Sequence, residues 1–419
     1  IVSDTLGQYI TGKGKTNDIE SPPPTPYLSP INYENNSFII TWSKNDDYDF
    51  KSYTLYESSS ENMSDQTEII VIEDNETIEY KKINVSYDIQ KFYRLVVSDV
   101  WGQHSQSTVK LGSSYQKIVY GKYLSGGNRL FLIDSGPNSG EPIKLLSDRS
   151  EKPLWFPDGK RILFYYNNSV TGIINSDGTD LIVHPSDGQT LGYNISPDGN
   201  LITFWNNYYI IYKMNIDGTN ITQLTTDMRS DGIYHTQSEF SPDGSKIVFS
   251  KWGQLYTNNT TDFEIWTMDL NGENLTRLTT PGQGTSIKNP KWSPNGNEIL
   301  FLQDGNLWIM NSDGSNSREL SSLEINYDYE SGPKWSPDGN NILFTTREDY
   351  YIYTIKRDGS NLTQIGEGVH GSWSPDGSKI IYQGELNKNQ FINITIVNPD
   401  GSNPKIITEG EIPKLQPRP

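Results

Sequence analysis

The sequence predicts an all-β chain: a seven-bladed β-propeller closed by its C-terminal strand, behind an N-terminal β-sandwich. Three observations predict it. A variant of Trp-Ser-Pro-Asp-Gly, followed by a short apolar strand, is written six times. The copies centre on Pro157-Asp158-Gly159, Pro197-Asp198-Gly199, Pro242-Asp243-Gly244, Pro294-Asn295-Gly296, Pro337-Asp338-Gly339 and Pro375-Asp376-Gly377. Neighbouring copies lie roughly 40–50 residues apart, the period of propeller blades. A second turn recurs between them, as Asp177-Gly178, Asp217-Gly218, Asn271-Gly272, Asp313-Gly314, Asp358-Gly359 and Asp400-Gly401. Upstream of these repeats, residues 21–112 carry short alternating strands and neither turn.

Residues 288–320 give one blade in full. Lys291-Trp292-Ser293 is a short strand, and Pro294-Asn295-Gly296-Asn297 a turn. Glu298–Leu302 and Asn306–Met310 are the second and third strands. Ser312-Asp313-Gly314-Ser315 turns again, and Ser317–Leu320 is the fourth. Pro presets φ at the first corner of such a turn, and Gly supplies the positive φ at its end. Four antiparallel strands make one blade.

Residues 115–150 lack the first turn but read as three strands, Lys117–Lys122, Asn128–Asp134 and Glu141–Leu146. They match strands two to four of a blade. Ile412-Pro413-Lys414-Leu415-Gln416-Pro417 parallels Asn289–Pro294 and Gly332–Pro337, so it supplies the missing first strand. That clasp brings the count to seven blades and removes the open sheet edges.

These residues resemble the WD40-like (PD40) repeat of TolB-type propellers, over roughly residues 115–419. The resemblance implies a fold and not a function, because propellers host many unrelated functions. TolB itself is described with six blades, so seven is a departure, and six plus a separate sheet is the alternative.

Residues 21–114 are expected to form the sandwich. Pro22-Pro23-Pro24 opens a stiff linker, and strands follow at 37–42, 51–57, 68–72, 77–82, 91–98 and 105–111. Trp42, Tyr53 and Leu55 are the expected core. Tyr93–Asp99, with Gly102 and Ser105, resembles the end of a fibronectin type III domain. Ile1–Gln8 lines up with Val96–Gln103, so residues 1–20 read as the tail of a preceding domain of that kind plus a linker.

Composition narrows the partners. The formal net charge is -18, a field that repels phosphate backbones and anionic lipid. Nucleic acid is therefore not an expected partner. With no cysteine, a zinc ribbon, a disulfide scaffold and a thiol nucleophile are excluded. No apolar run reaches the length of about 18 residues needed to span a bilayer as a helix. Asn220-Ile221-Thr222, Asn274-Leu275-Thr276 and Asn361-Leu362-Thr363 have the form of glycosylation sequons, yet they fall on the repeat and are explained by the fold.

In an up-and-down blade both recurrent turns fall on one face. The 2→3 and 4→1 loops fall on the other, where lengths vary and binding residues gather. The ligand-face candidates are Trp205, Tyr208, Trp252, Tyr256, His235, Tyr329, Arg347 and His370. Aromatics interleaved with carboxylates suit sugar rings or an extended peptide. The competing reading is ordinary loop aromatics covering blade edges. The turn aspartates read as structural. Among TolB-like propellers, oligogalacturonate lyases carry a His-rich manganese site over the channel. His235-Thr236-Gln237 is similar to one such ligand segment, and His184 and His370 map to the same face, but the other ligands have no counterpart here. No catalytic residue, metal ligand or cofactor is assigned. Asp46, Asp47 and Asp49 form the one place where calcium is considered, against a solvated acidic loop. No Gly-x-Ser-x-Gly elbow, Walker loop or His-Glu-x-x-His is present.

The expectation is a non-enzymatic extracellular or cell-surface recognition or adhesion protein, the periplasm being the alternative compartment. Its propeller binds a protein or glycan, and the chain is a fragment of a larger multidomain protein. The alternatives are a polysaccharide lyase or glycosidase at the channel mouth, and a structural unit of a surface layer or filament.

Overall fold

The computed structural model describes residues 2–3, 9–11, 15–16, 21–34, 37–86, 89–137, 141–167, 170–184, 190–226, 232–253, 262–280, 285–326, 332–387 and 390–417. Among these there is no helix: the chain is all-β and of propeller type. It divides into two compact units, residues 1–116 with 136–138, and residues 117–135 with 139–419.

In the first unit, Phe50–Ser58 lies between Thr67–Ile72 and Gln90–Asp99, while Asn32–Glu34, Ser37–Thr41 and Glu79–Lys82 form a three-stranded sheet. Buried residues recur with period two: Phe38, Ile40 and Trp42, then Tyr53 and Leu55, then Tyr93, Leu95 and Val97. They share one core, and Trp42, Tyr53 and Leu55 lie in it as expected. The run 105–111, expected as one strand, is two. His104–Gln106 and Lys110–Ser113 both pair with Gln90–Asp99, and the break falls where the Ser107 hydroxyl accepts from the Leu95 N–H at 3.0 Å. Val2–Ser3, Tyr9–Thr11 and Lys15–Thr16 pair with one another into a small sheet.

The second unit repeats one antiparallel pattern. Four sheets of four strands run in sequence order from Ser150–Trp155 to Arg318–Ser321. A seven-stranded sheet then runs from Lys334–Trp335 to Lys405–Glu409. It contains two repeats joined by one long strand, Thr363–Trp373. Its first half pairs with Tyr351–Lys356 and its second with Ile380–Asn387. Another four-stranded sheet has the order Ile143–Lys144, Gly127–Asp134, Lys117–Leu124, Glu411–Leu415. There Ile118 faces Leu415 and Val119 faces Lys414, and the Gln416 N–H donates to the Lys117 carbonyl at 2.8 Å.

The turns are built from short polar contacts. In the Ser-Pro-Asp-Gly copies the Ser hydroxyl donates to the Asp carboxylate two residues on, at 2.6 Å for Ser196–Asp198, Ser241–Asp243, Ser336–Asp338 and Ser374–Asp376. Asn295 takes the same role with Ser293 at 2.8 Å. After the second turn, Asp180, Asn220, Asn274, Asn316, Asn361 and Asn403 all adopt φ between +53° and +55°. Asn tolerates this left-handed region better than most residues. The backbone therefore accounts for Asn at the three sequon positions.

Candidate functional site

The first strands of four repeats are interrupted by a bulge at the same place. Register shifts fall at Glu151/Leu154, Thr236/Glu239, Lys288/Lys291 and Val369/Ser372. Left-handed residues mark them: Lys152, Gln237, Asn289 and His370 have φ of +53° to +57°, and Ile412 in the C-terminal strand has φ +49°. Each stands three residues before the Trp, or its counterpart, that ends the strand. A bulge re-aims the side chains that follow it.

The first strands, bulged or not, line one cavity of about 350 Å³ with Lys152, Leu154, Asn194, Glu239, Lys291, Lys334 and Lys414 and with Tyr193, Trp292 and Trp335. Six first strands contribute. All these residues lie toward the strand ends that lead into the Pro-Asp-Gly turns. The cavity is thus near the turn end, opposite the end to which the irregular loops pointed.

A repeated indole contact fixes the frame. The Nε1–H of Trp155 donates to the Lys414 carbonyl at 3.0 Å, that of Trp335 to Lys291 at 3.2 Å, and that of Trp373 to Lys334 at 3.4 Å. These three first strands are each bonded in this way to the lysine of another first strand. Lys291 Nζ pairs with Glu239 at 2.7 Å, and Glu239 also accepts from the Trp292 N–H at 3.1 Å. Lys334 Nζ donates to the Gly371 carbonyl at 2.6 Å, and Lys152 Nζ sits 5.4 Å from the Tyr165 ring centroid. Four lysines and one carboxylate residue, Glu239, are among the residues that line the cavity.

The sequence candidates are dispersed. Trp205 is a core residue, 5% exposed, packed with Ile211, Phe240 and Phe249. Its indole fills the space above Gly192, where a Cβ would come within 1.8 Å of the ring. His235 is also buried: its N–H donates to the Tyr209 carbonyl at 2.9 Å and its ring tilts against Phe249. Both are corrections to the expectation of surface groups, and alternation within a strand is the reason. Trp252 is half-buried in a cross-strand row, between Tyr234 at 4.1 Å and Phe263 at 5.4 Å. Both rings lie nearly parallel to the indole, so its faces are covered. Tyr208 is exposed, beside the left-handed Tyr209. Arg347 pairs with Glu324 in the open. His370 is a bulge residue whose Nδ1 lies 2.8 Å from Gln383 Oε1. Tyr256 and Tyr329 lie outside the described residues.

His184 is buried, with Nε2 2.9 Å from the Ile216 carbonyl, and burial lowers its pKa. Among the described residues no three His, Asp or Glu side chains converge as metal ligands. At the acidic loop considered for calcium, Asp46 pairs with Lys44 at 3.2 Å. The Asp47 N–H donates to Asn45 Oδ1, and burial raises the Asp47 carboxyl pKa.

Sequence reasoning missed the lysines, although Pro290-Lys291-Trp292, Pro333-Lys334-Trp335 and Pro413-Lys414-Leu415 were the segments that aligned the first strands. The signal was a Lys one residue before the strand-ending position in three repeats.

The family model for the TolB β-propeller domain (PD40) matches residues 76–327. Among solved structures, an oligogalacturonate lyase from Vibrio parahaemolyticus is 14% identical, covering 70% of this chain and 85% of its own, with a TM-score of 0.53. The tricorn protease is 9% identical, covering 92% of this chain and 49% of its own, with a TM-score of 0.50. A putative TolB from Agrobacterium tumefaciens is 16% identical over 72% of this chain and 96% of its own, with a TM-score of 0.37. At these identities the likeness is one of fold.

Proposed function

The chain belongs to the TolB β-propeller family, and from that premise we propose a recognition protein whose propeller binds a glycan or peptide. We read the repeats as seven blades, with Glu411–Leu415 as the first strand of the seventh. Residues 21–114 act as a fibronectin type III-like spacer in an extracellular or cell-surface protein. One observation carries the binding role: six first strands line one cavity of about 350 Å³ with unlike groups, among them an amide, a carboxylate, lysines and aromatic rings. A discriminating site needs distinct groups at fixed points, and it needs polar groups set among apolar walls. Trp292, Trp335, Tyr193 and Leu154 supply the walls here.

The test is binding of the whole chain to glycan and peptide arrays, repeated with Asn194→Trp, which fills the cavity. Retention of a ligand by the parent and its loss by the folded variant is expected. Binding that survives the filled cavity, or no retention on either array, overturns the reading. The enzymatic alternative, a polysaccharide lyase or glycosidase, has a different outcome in the same experiment. Shortened products would then be released instead of an intact ligand being held.

A further inference from the structure

Two loops of the first unit lie side by side. Residues 43–49 lead into Phe50–Ser58, and residues 100–103 join Gln90–Asp99 to His104–Gln106. The Val100 N–H donates to the Asp49 carbonyl at 2.9 Å, and Phe50 pairs with Asp99 across the strands. We propose that these loops form a docking surface for a partner protein, which enters it with a segment carrying Lys or Arg beside large apolar side chains. The surface belongs to the first unit and owes nothing to the cavity.

Its apolar part is Tyr48, Val100 and Trp101, which are 64%, 56% and 49% exposed. Single apolar residues on a surface are ordinary, but three large ones on adjoining loops mark an interaction site. Tyr and Trp are also the types enriched at interfaces. They are not displaced core residues, because the core of this unit closes on Trp42, Tyr53 and Leu95 without them. The Tyr48 hydroxyl bonds to the Asp49 carboxylate, so its ring is held beside an acid.

The same loops are acidic. Asp46, Asp47 and Asp49 crowd one loop, and among the described residues the one cation paired with them is Lys44. Lys44 divides itself between Asp46 at 3.2 Å and Glu76 at 2.6 Å. Asp99 points to a ligand most directly. It is 1% exposed, and its Oδ1 accepts from the Trp101 and Gln103 N–H groups at 2.9 and 2.8 Å. Its Oδ2 is buried and accepts nothing. Its charge reaches the facing loop: burial first, then Asp49, Asp46 and Asp99, raise the Asp47 carboxyl pKa. A buried carboxylate with an open oxygen beside like charges is costly. A cation seated on these loops offsets that cost through space. Among the described residues no three carboxylates converge as metal ligands. An ammonium or guanidinium group needs no such convergence, and Tyr48 and Trp101 offer it ring faces. A second copy of this chain, meeting the surface face to face, would bring the same acids to the contact.

Fluorescence anisotropy of the whole chain with dye-labelled decapeptides tests this, one alternating Lys and Leu, one Lys and Ser, and one Glu and Leu. The Lys/Leu peptide should bind, the Lys/Ser peptide should bind about fivefold or more weaker, and the Glu/Leu peptide should not bind measurably. Affinity for the Lys/Leu peptide should fall by about fivefold or more between roughly 20 and 200 mM NaCl. W101S and D46N/D49N should each weaken it by about fivefold or more. E141Q/E348Q removes as many charges from the second unit and should change it by no more than about twofold. D99N keeps the Oδ1 acceptor of the turn and removes the charge, so it should weaken binding while the melting temperature holds or rises. If W101S fails to fold, hydroxyl-radical oxidation of Trp101 in the parent chain, read by mass spectrometry, should be slowed by the Lys/Leu peptide. Equal binding of the Lys/Leu and Lys/Ser peptides, or binding indifferent to W101S and to D46N/D49N, overturns the proposal. A rise in melting temperature with about 1 mM CaCl2 that also blocks the peptide assigns the loops to a metal ion and overturns it too. Peptides held here are lost with W101S and kept by Asn194→Trp, which tells them apart from ligands of the cavity.

Discussion

The indole Nε1–H of Trp155 donates to the carbonyl oxygen of Lys414 across 3.0 Å, joining residues 259 positions apart. The same end of the chain is held twice more. Gln416 exchanges hydrogen bonds with the Lys117 backbone, and its Nε2 donates to the Gly159 carbonyl at 2.6 Å. Removing these contacts should leave Lys117–Leu124 as an open edge and Trp155 without its acceptor. A chain ending at Gly410 is expected to melt lower by on the order of 10 °C, since several non-local hydrogen bonds and the burial of Leu415 go together. Equal melting temperatures for the two chains, measured by differential scanning calorimetry, would defeat this.

Two glycines of the same turn type should respond differently. Gly159 has φ +65°, and a Cβ there would lie 2.4 Å from the Pro417 carbonyl oxygen. Gly339 has φ +70°, but its Cβ would meet Pro294 at an ordinary 3.5 Å. Alanine at Gly339 should cost about 1 kcal/mol from backbone strain alone. Gly159→Ala should cost clearly more, because a backbone atom must also move. Urea titrations that rank the two the other way would show that the C-terminal segment does not press on this turn.

Asn361 has φ +54° and stands at a sequon. If its role is conformational, Asn361→Ala should destabilise by about 1 kcal/mol, the cost of the left-handed region, while Asn361→Gly should be near neutral. Equal losses for both variants, read from urea midpoints, would instead assign the role to the Asn side chain.

The turn aspartates predict acid sensitivity. Hydroxyl donors first, and backbone N–H groups next, hold Asp177, Asp198, Asp217 and Asp338 below the ordinary carboxylate value, and Asp243 at about 2. Their folded pKa values lie below the unfolded value, so the folded state binds fewer protons. Their contribution is complete above the unfolded pKa and is lost as pH falls through the folded one. Stability should therefore decline between about pH 4 and 2. Asp243→Asn keeps the acceptor, as Asn295 does in the neighbouring turn, and should make that decline shallower. An unchanged slope in chemical denaturation across this range would refute the assignment.

Trp252 should behave as a packing residue. Its indole is flanked by Tyr234 and Phe263 in register-paired positions, and Tyr209 meets it edge-on at 5.8 Å. Trp252→Ala should cost about 2–3 kcal/mol, within the range for removing a stacked, half-buried aromatic. A loss of ligand binding with no loss of stability, compared by thermal melts and array retention, would return Trp252 to the ligand face.

The sequence by itself determined the all-β class, the repeat and its turns, because Pro, Asp, Gly and the left-handed Asn act within a few residues of chain. Leu415 could also be aligned with the strand ends at Trp292 and Trp335, since a repeat declares equivalence without contact. It misled at Trp205 and His235. Aromatic and polar residues near a loop look alike whether they point outward or into the sheet interface, and a shift of one position reverses that. Only the tertiary structure brought Lys152, Lys291, Lys334 and Lys414 to one wall, across as many as 262 positions of sequence. Each lysine sits in a local pattern that specifies a strand and nothing more. Their meeting depends on how the first strands are arranged around the cavity, and that is not written in any one repeat.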